Sequence, residues 1–139
     1  MGKVSNLFIG KERGTAKLEY ATIELKTNFG VVNDIHATEG RHQVSILSKR
    51  SIDKFKANSL TLGTFEANII VEDIDLFNLE VNTKIKFGKE VILEITQIGK
   101  KDVLIEDHYS TMYHEGIFAK VIHGGNLKKN DLIEVMLDL

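Results

Sequence analysis

The chain has 139 residues, of which 42% are hydrophobic and 27% are charged, so it is long enough for one domain with a buried core but short for two. Its net charge of −2 shows no basic excess of the kind that nucleic-acid binding needs, and no apolar run reaches the length of a membrane-spanning helix. The absence of cysteine excludes disulfides, thiolate metal sites and a cysteine nucleophile.

The first residues, MGKVSNLFIGKERG, are too polar and too interrupted for a secretory signal. We therefore expect a cytoplasmic protein that has neither nucleic acid nor a membrane as a partner. Proline is also absent, so glycine, asparagine and aspartate are expected to form the tight turns.

Short segments with the two-residue periodicity of β-strands follow one another along the chain. They are residues 3–10, 17–25 and 42–47, and the two arms of a hairpin within 83–98. In the hairpin, Gly88 and Lys89 supply the turn. The final segment, 131–137, is apolar on both faces, which is typical of a central or barrel strand.

Two short helices are predicted among these strands. Ser48 or Ser51 can cap a helix over SIDKFKAN (51–58), in which Ile52 and Phe55 share a face. The second helix is predicted over GIFAKVIHGG (116–125), where a one-sided apolar stripe ends at a Gly-Gly stop. Short strands with only two or so small helices predict a mainly β barrel or sandwich, because a parallel α/β sheet needs longer helical crossovers.

The segment NDIHATEGRHQ (33–43) contains several polar residues that can bind a ligand or take part in catalysis. Asp34 can fix the tautomer of His36, as carboxylates do in metal sites and acid–base pairs. The rigid fork of Arg41 suits a phosphate or a carboxylate. The structural alternatives are a polar loop pair and an arginine that caps the end of a strand.

Two further segments carry candidate site residues. Asn68 lies among apolar residues in GTFEANI (63–69), where a buried amide must satisfy donors and an acceptor by holding a loop or gripping a heterocycle. Physical reasoning favours the loop. IGKKD (98–102) offers two ammonium groups and a carboxylate after a strand, which suits an anion, although a lysine at a turn is usually only solvated. No P-loop and no Gly-x-Gly-x-x-Gly pattern is present.

Four of these stretches, taken together and in this order, resemble the MOSC domain, the molybdenum cofactor sulfurase C-terminal family, in its small free-standing bacterial form. They span about three quarters of the chain and read GVVNDIHATEGRHQVSIL (30–47), GTFEANI (63–69), LEITQIGKK (93–101) and EGIFAKVIHGGNLKKNDLIEV (115–135). The resemblance implies a single domain over residues 1–139, folded as a compact MOSC-type β-barrel. It also implies handling of the molybdenum cofactor, a pterin dithiolene with a terminal phosphate.

The resemblance assigns cofactor-binding residues by position. These are Asp34 and His36 from G-D-x-H, Arg41 and Gln43 from R-Q-V-S, Asn68 from F-x-E-N-I, and Lys100 from I-G-K. Asp102 stands where the family has a cysteine, and it is the predicted metal ligand and a cofactor contact in place of that thiol. Lys120 in place of an arginine and Asn130 in place of a glycine are mild departures. Further departures are Asn33 in place of a glycine and Ala67 in place of a glutamate.

The exchange of cysteine for Asp102 shapes the function that the resemblance implies. A carboxylate cannot carry sulfane sulfur, because the thiolate is the nucleophile in that chemistry. We therefore expect a binding protein: a carrier, store or sensor of the molybdenum cofactor or its molybdopterin precursor. Molybdoenzymes and cofactor-synthesis proteins are its candidate protein partners. The alternatives are a molybdenum-cofactor-dependent reductase-type enzyme and a degenerate paralogue with a structural or interaction role.

Overall fold

The computed structural model describes residues 2–12, 17–35, 37, 40, 43–55, 67–99 and 116–136. In chain order the elements are β1 (Gly2–Ile9), β2 (Leu18–Tyr20), β3 (Thr22–Lys26), β4 (Gly30–Val31), β5 (Val44–Ser48), α1 (Lys49–Phe55), β6 (Ile69–Glu72), β7 (Lys84–Phe87), β8 (Val91–Ile98), β9 (Ile117–His123), β10 (Gly125–Lys128) and β11 (Leu132–Val135). No helix within these ranges is long and apolar enough to cross a bilayer.

Seven of the strands close into a barrel, which confirms the prediction of a mainly β fold. Hydrogen bonds join them in the order β11-β7-β8-β9-β5-β6-β1, and β1 pairs back with β11. Neighbours are antiparallel except β5 and β6, which run parallel with α1 in the connection between them. Closure leaves no barrel strand with an unpaired edge.

Two smaller pairings extend this frame. Strand β2 adds to β1 outside the closed barrel, and a three-stranded sheet forms in the order β10-β3-β4. The chain passes from the first sheet to the second at Ala21, whose carbonyl accepts a hydrogen bond from the Lys129 amide. These additions bring the segment that follows β4 to the end of the barrel where β1 finishes.

The barrel interior is a packed apolar core. Inward-facing residues alternate with outward-facing ones along the strands, as Val91, Leu93 and Ile95 do on β8. Phe87 is among the largest fully buried side chains, and it belongs to one continuous cluster that draws on both sheets. The described part of the chain therefore fills the barrel with its own side chains.

Several local predictions are confirmed. The hairpin forms between β7 and β8 with Phe87 opposite Val91, and Gly88 adopts the left-handed φ of 67° that its turn requires. The first helix begins directly after Ser48, whose Oγ accepts a hydrogen bond from the Ser51 amide at 3.0 Å. The strand predicted within 131–137 is present as β11 (Leu132–Val135) and belongs to the barrel, but only one of its faces is buried, with Leu132 58% exposed.

The prediction of a second helix over 116–125 is wrong, because these residues contribute strand β9. Burial alternates along it, with Ile117, Ala119 and Val121 inside, so the apolar stripe also satisfies the two-residue period of a strand. Pairing with β8 on one side and β5 on the other decides between the two readings. The Gly-Gly pair serves a different purpose: a Cβ on Gly124 would lie 2.3 Å from the Leu25 carbonyl oxygen.

Candidate functional site

The structure describes three of the seven residues predicted for the site: Asp34, Gln43 and Asn68. The other four, His36, Arg41, Lys100 and Asp102, lie outside the described residues, and their roles stay predictions. No group of three His, Asp or Glu side chains in the described ranges is arranged to hold a metal ion.

Asp34 is the centre of a buried polar cluster at the end of β1. Its Oδ1 accepts hydrogen bonds from the Gly10 amide at 2.7 Å, from Lys17 Nζ at 2.8 Å and from Asn68 Nδ2 at 3.0 Å. The side chains of Asp34 and Lys17 are 0% and 3% exposed. A buried charge survives only when it is paired and hydrogen-bonded, and this carboxylate is both.

Asn68, just before β6, joins the cluster to three strands. Its Oδ1 accepts from the amide and hydroxyl of Ser45 on β5, at 3.1 and 3.0 Å. Its Nδ2 donates to the Phe8 carbonyl on β1 at 3.3 Å and to Asp34. Both N–H groups therefore have protein partners, which is the loop-holding role. A direct contact between Asn68 and a cofactor stays a prediction.

Gln43 holds a separate network, two positions before Ser45. Its Nε2 donates to Asn28 Oδ1 at 3.1 Å and to the Gly40 carbonyl at 2.8 Å. Its Oε1 accepts from the Val121 amide on β9 at 2.8 Å, and the side chain is buried. The structure therefore brings Asp34 and Asn68 together and places Gln43 in a different hydrogen-bond network.

The two networks fix both ends of residues 34–43, which we call the anchored segment. At its start the Ile35 amide donates to the Gly10 carbonyl at 2.7 Å, and at its end the Gln43 amide donates to the Ala119 carbonyl at 3.1 Å. His36 and Arg41 lie between these anchors in sequence. The described contacts therefore fix the two ends of the anchored segment to the barrel.

Lys17 is the member of the cluster that the sequence analysis missed. The sequence predicts Lys17 as the first residue of a strand segment, and a lysine in that position is usually solvated. Instead it is 5% exposed, and its stem and ammonium pack over Gly10, where a Cβ would lie 2.9 Å from Nζ. The only available signal was indirect: a buried Asp34 needs a cation, and the sequence does not say which one.

A cavity of about 560 Å³ opens elsewhere, between α1 and the chain that follows β6. Ser48 and Val71 line it, and they pair two residues beyond the Ile46–Ile69 pair, whereas Asn68 lies on the other side of that pair. Its described charged lining comprises the cations Lys49 and Arg50 and the carboxylates Asp53, Glu72, Asp73 and Asp75. This excess of negative charge disfavours an anionic ligand in the cavity.

Comparison with known proteins shows the fold alone. No protein-family model matches the chain, and no curated protein does. Among solved structures, the YUAD protein from Bacillus subtilis is 18% identical with a TM-score of 0.75, covering 97% of this chain and 96% of that one. YiiM from Geobacillus stearothermophilus is 8% identical at a TM-score of 0.68, covering 99% and 76%. YiiM from Escherichia coli is 13% identical at 0.63, covering 99% and 71%. The chain is therefore similar in fold to these proteins over almost its whole length.

Proposed function

We propose that this chain is a MOSC-like domain that binds the molybdenum cofactor or its molybdopterin precursor, as a carrier, store or sensor. The observation that carries the proposal is the 3.0 Å hydrogen bond between Asn68 and Asp34. These residues come from two separate stretches of the family-like pattern, and they meet in one buried cluster. The structural neighbours include YiiM, a MOSC-domain protein, which supports the same reading.

Two exchanges in the pattern also fit the backbone. Asn33 and Asn130 stand where the family pattern has glycine, and they adopt φ angles of 73° and 72°. Glycine enters this left-handed region freely, and asparagine tolerates it better than most residues. Both exchanges therefore keep the local conformation that a glycine would allow.

The residues proposed to contact the cofactor are those outside the inner cluster. A bound cofactor would supply a redox-active molybdenum held by a pterin dithiolene, together with a terminal phosphate. Arg41 and Lys100 are expected to bind the phosphate, since a guanidinium fork and an ammonium both suit it. Asp102 offers a hard oxygen to the metal, and His36 offers an imidazole whose orientation neighbouring groups can fix.

The three described residues of the predicted site are proposed to support the ligand-binding residues through contacts within the protein. Asp34, Gln43 and Asn68 form hydrogen bonds with other protein groups, and these bonds hold the two ends of the anchored segment. A rigid support lowers the entropy lost when a ligand is bound. Because side chains pack the barrel core, the proposed ligand site is at the end of the barrel and not in its interior.

The proposal is tested by purifying the protein from a cofactor-competent host, oxidising it, and measuring pterin fluorescence and molybdenum in the same fractions. We expect both above the level of an unrelated protein purified in parallel. Arg41→Ala should lose at least about tenfold of the bound pterin, the scale expected when a charge-assisted phosphate contact is removed. Arg50→Ala, which changes an exposed arginine on α1, is the matched control and should keep the wild-type pterin content. A pterin content equal to that of the unrelated protein would end the proposal.

A structural or interaction role is the second candidate, and one observation favours it. The barrel interior is filled, and the buried amides of Gln43 and Asn68 are satisfied by the protein. A folded chain without pterin from the same host would support this reading. Pterin at a fixed ratio to protein would contradict it.

A further inference from the structure

We propose that Asn68 fixes the register of β5 against β6, the parallel pair of the barrel, so that the two strands adopt one alignment rather than several. This role goes beyond holding a loop, because it assigns to one buried amide the choice between alternative strand pairings. It concerns the fold and does not depend on the proposed function. The residues that carry it, Asn68, Ser45 and Phe8, all lie in the described part of the chain.

The apolar pattern of β5 and β6 leaves their register open. Ile69, Ile70 and Val71 follow one another on β6 and are all fully buried, and so are Ile46 and Leu47 on β5. The inward-facing members pack in the barrel core, whereas Leu47 and Ile70 pack in a second cluster that includes a residue of α1. A shift by one residue exchanges the two faces of a strand. At the centre of this pair it exchanges one isoleucine for another, so hydrophobicity distinguishes the alignments only weakly.

Asn68, which is 1% exposed, makes contacts with Ser45 that fit one alignment of the strands. Its Oδ1 accepts from the Ser45 amide at 3.1 Å and from the Ser45 hydroxyl at 3.0 Å. Its own backbone amide lies 2.9 Å from the Ser45 carbonyl and 3.0 Å from Ser45 Oγ. After a shift of one residue, the buried amide of Asn68 would lose these partners, and an unsatisfied buried polar group is costly. A single buried asparagine sets the register of coiled coils in the same way.

The same residue fixes β6 against β1. The Asn68 carbonyl accepts from the Phe8 amide at 2.8 Å, and Asn68 Nδ2 donates to the Phe8 carbonyl at 3.3 Å. The ladder between β1 and β6 contains a register shift, so the pairing at one end does not dictate the pairing at the other. At the opposite end of β6, Glu72 pairs with Lys3, whose side chain is 42% exposed, and such a pair constrains a strand little. Asn68 is therefore a buried polar contact that holds three strands in one alignment.

The test compares three full-length variants with the wild type by NMR. Asn68→Leu removes the amide with little change of volume, but it leaves the Ser45 amide without its acceptor and can fail to fold. Ser45→Ala removes only the hydroxyl contacts and keeps the bond from the Ser45 amide to Asn68, so we expect this variant to fold. Asn126→Leu is the matched control, because Asn126 is exposed on β10 in the other sheet.

Two quantities are measured on each folded variant: minor conformers by saturation-transfer NMR, and amide hydrogen exchange by residue. In Asn68→Leu we expect a second conformer of β5 and β6 in about 1–10% of the molecules, with chemical shifts typical of strands. In Ser45→Ala we expect the amides of β5 and β6 to exchange at least about threefold faster, while those of β7 and β8 keep the wild-type rates. Asn126→Leu should match the wild type in both measurements.

Each outcome decides for or against the register role. A folded Asn68→Leu protein with a single conformer would overturn it, and so would a minor conformer with the chemical shifts of an unfolded chain. If Asn68→Leu does not fold, Ser45→Ala decides: unchanged exchange, or equal acceleration in all strands, would overturn the role. Neither measurement involves pterin, so this inference and the proposed function stand or fall separately.

Discussion

Lys17 and Glu19 lie two positions apart, and both form ion pairs, yet the two pairs differ in how much they contribute to stability. The Lys17–Asp34 pair is shielded from water, and removing one partner of such a pair typically costs about 3–5 kcal/mol, because the other charge is left buried. The Glu19–Lys129 pair is exposed, where such pairs contribute about 0–1 kcal/mol. Burial, rather than the number of ion pairs, therefore shows where a charge has a structural task.

Glu19 gives a prediction about pH at this scale. Its pKa lies below the ordinary value of 4.5, chiefly because Asn6 Nδ2 donates to its Oε2, with a further contribution from Lys129, while partial burial opposes the shift. Since the pKa is lower in the folded state, the contribution of Glu19 to stability is full above 4.5 and is lost as the pH falls through the folded pKa. The loss should stay below about 1 kcal/mol, because the group is exposed. Asn6→Ala should move the pKa of Glu19 upward in an NMR titration of its carboxyl, and an unchanged pKa would contradict this cause.

Among the elements, β9 and α1 show when a local pattern is sufficient. The sequence of β9 fits both a helical stripe and an alternating strand, and only pairing with β8 and β5 selects the strand. Helix α1 carries its own start signal, a serine three residues before an amide that it caps. A capped helix is therefore readable from its own residues, whereas a strand between two distant neighbours is not.

The cap of α1 supplies the prediction for this scale. Ser48→Ala removes the oxygen that accepts from the Ser51 amide, which should lower the free energy of unfolding by about 1 kcal/mol. Ser48→Thr keeps an oxygen at the cap and should recover most of the loss. Urea denaturation followed by circular dichroism measures both variants. Equal stability of the alanine and wild-type proteins would show that the cap is not used.

At the scale of the whole molecule, the pairing of β1 with β11 makes the chain a barrel. These strands come from opposite ends of the described chain, with Gly2 opposite Ile133 and Lys3 opposite Leu132. The pairing closes the longest loop in the fold, so it forms only after the intervening strands are in place or at the expense of chain entropy. The neighbouring strands β5, β6 and β1 bring Ser45, Asn68 and Phe8 into one polar cluster.

Strand β11 offers a matched pair of substitutions that tests this closure. Ile133→Ala should lower the free energy of unfolding by about 2–5 kcal/mol, because a fully buried side chain leaves a cavity in the shared core. Leu132→Ala, on the same strand but 58% exposed, should change it by less than about 0.5 kcal/mol. Chemical denaturation monitored by tyrosine fluorescence compares them. Similar losses for both variants would contradict the inward orientation of Ile133.

Three features could be predicted from the amino-acid sequence: the β-rich class, the β7–β8 hairpin with its Gly88 turn, and the capped start of α1. Each of these follows from residues close together in the chain, whose periodicity, φ preference or capping chemistry acts locally. In contrast, the strand over 117–123 and the ion pair between Lys17 and Asp34 depend on contacts made only in the folded chain. A strand gains its hydrogen bonds from distant partners, and a buried charge its counter-ion, so neither pairing can be read from local sequence.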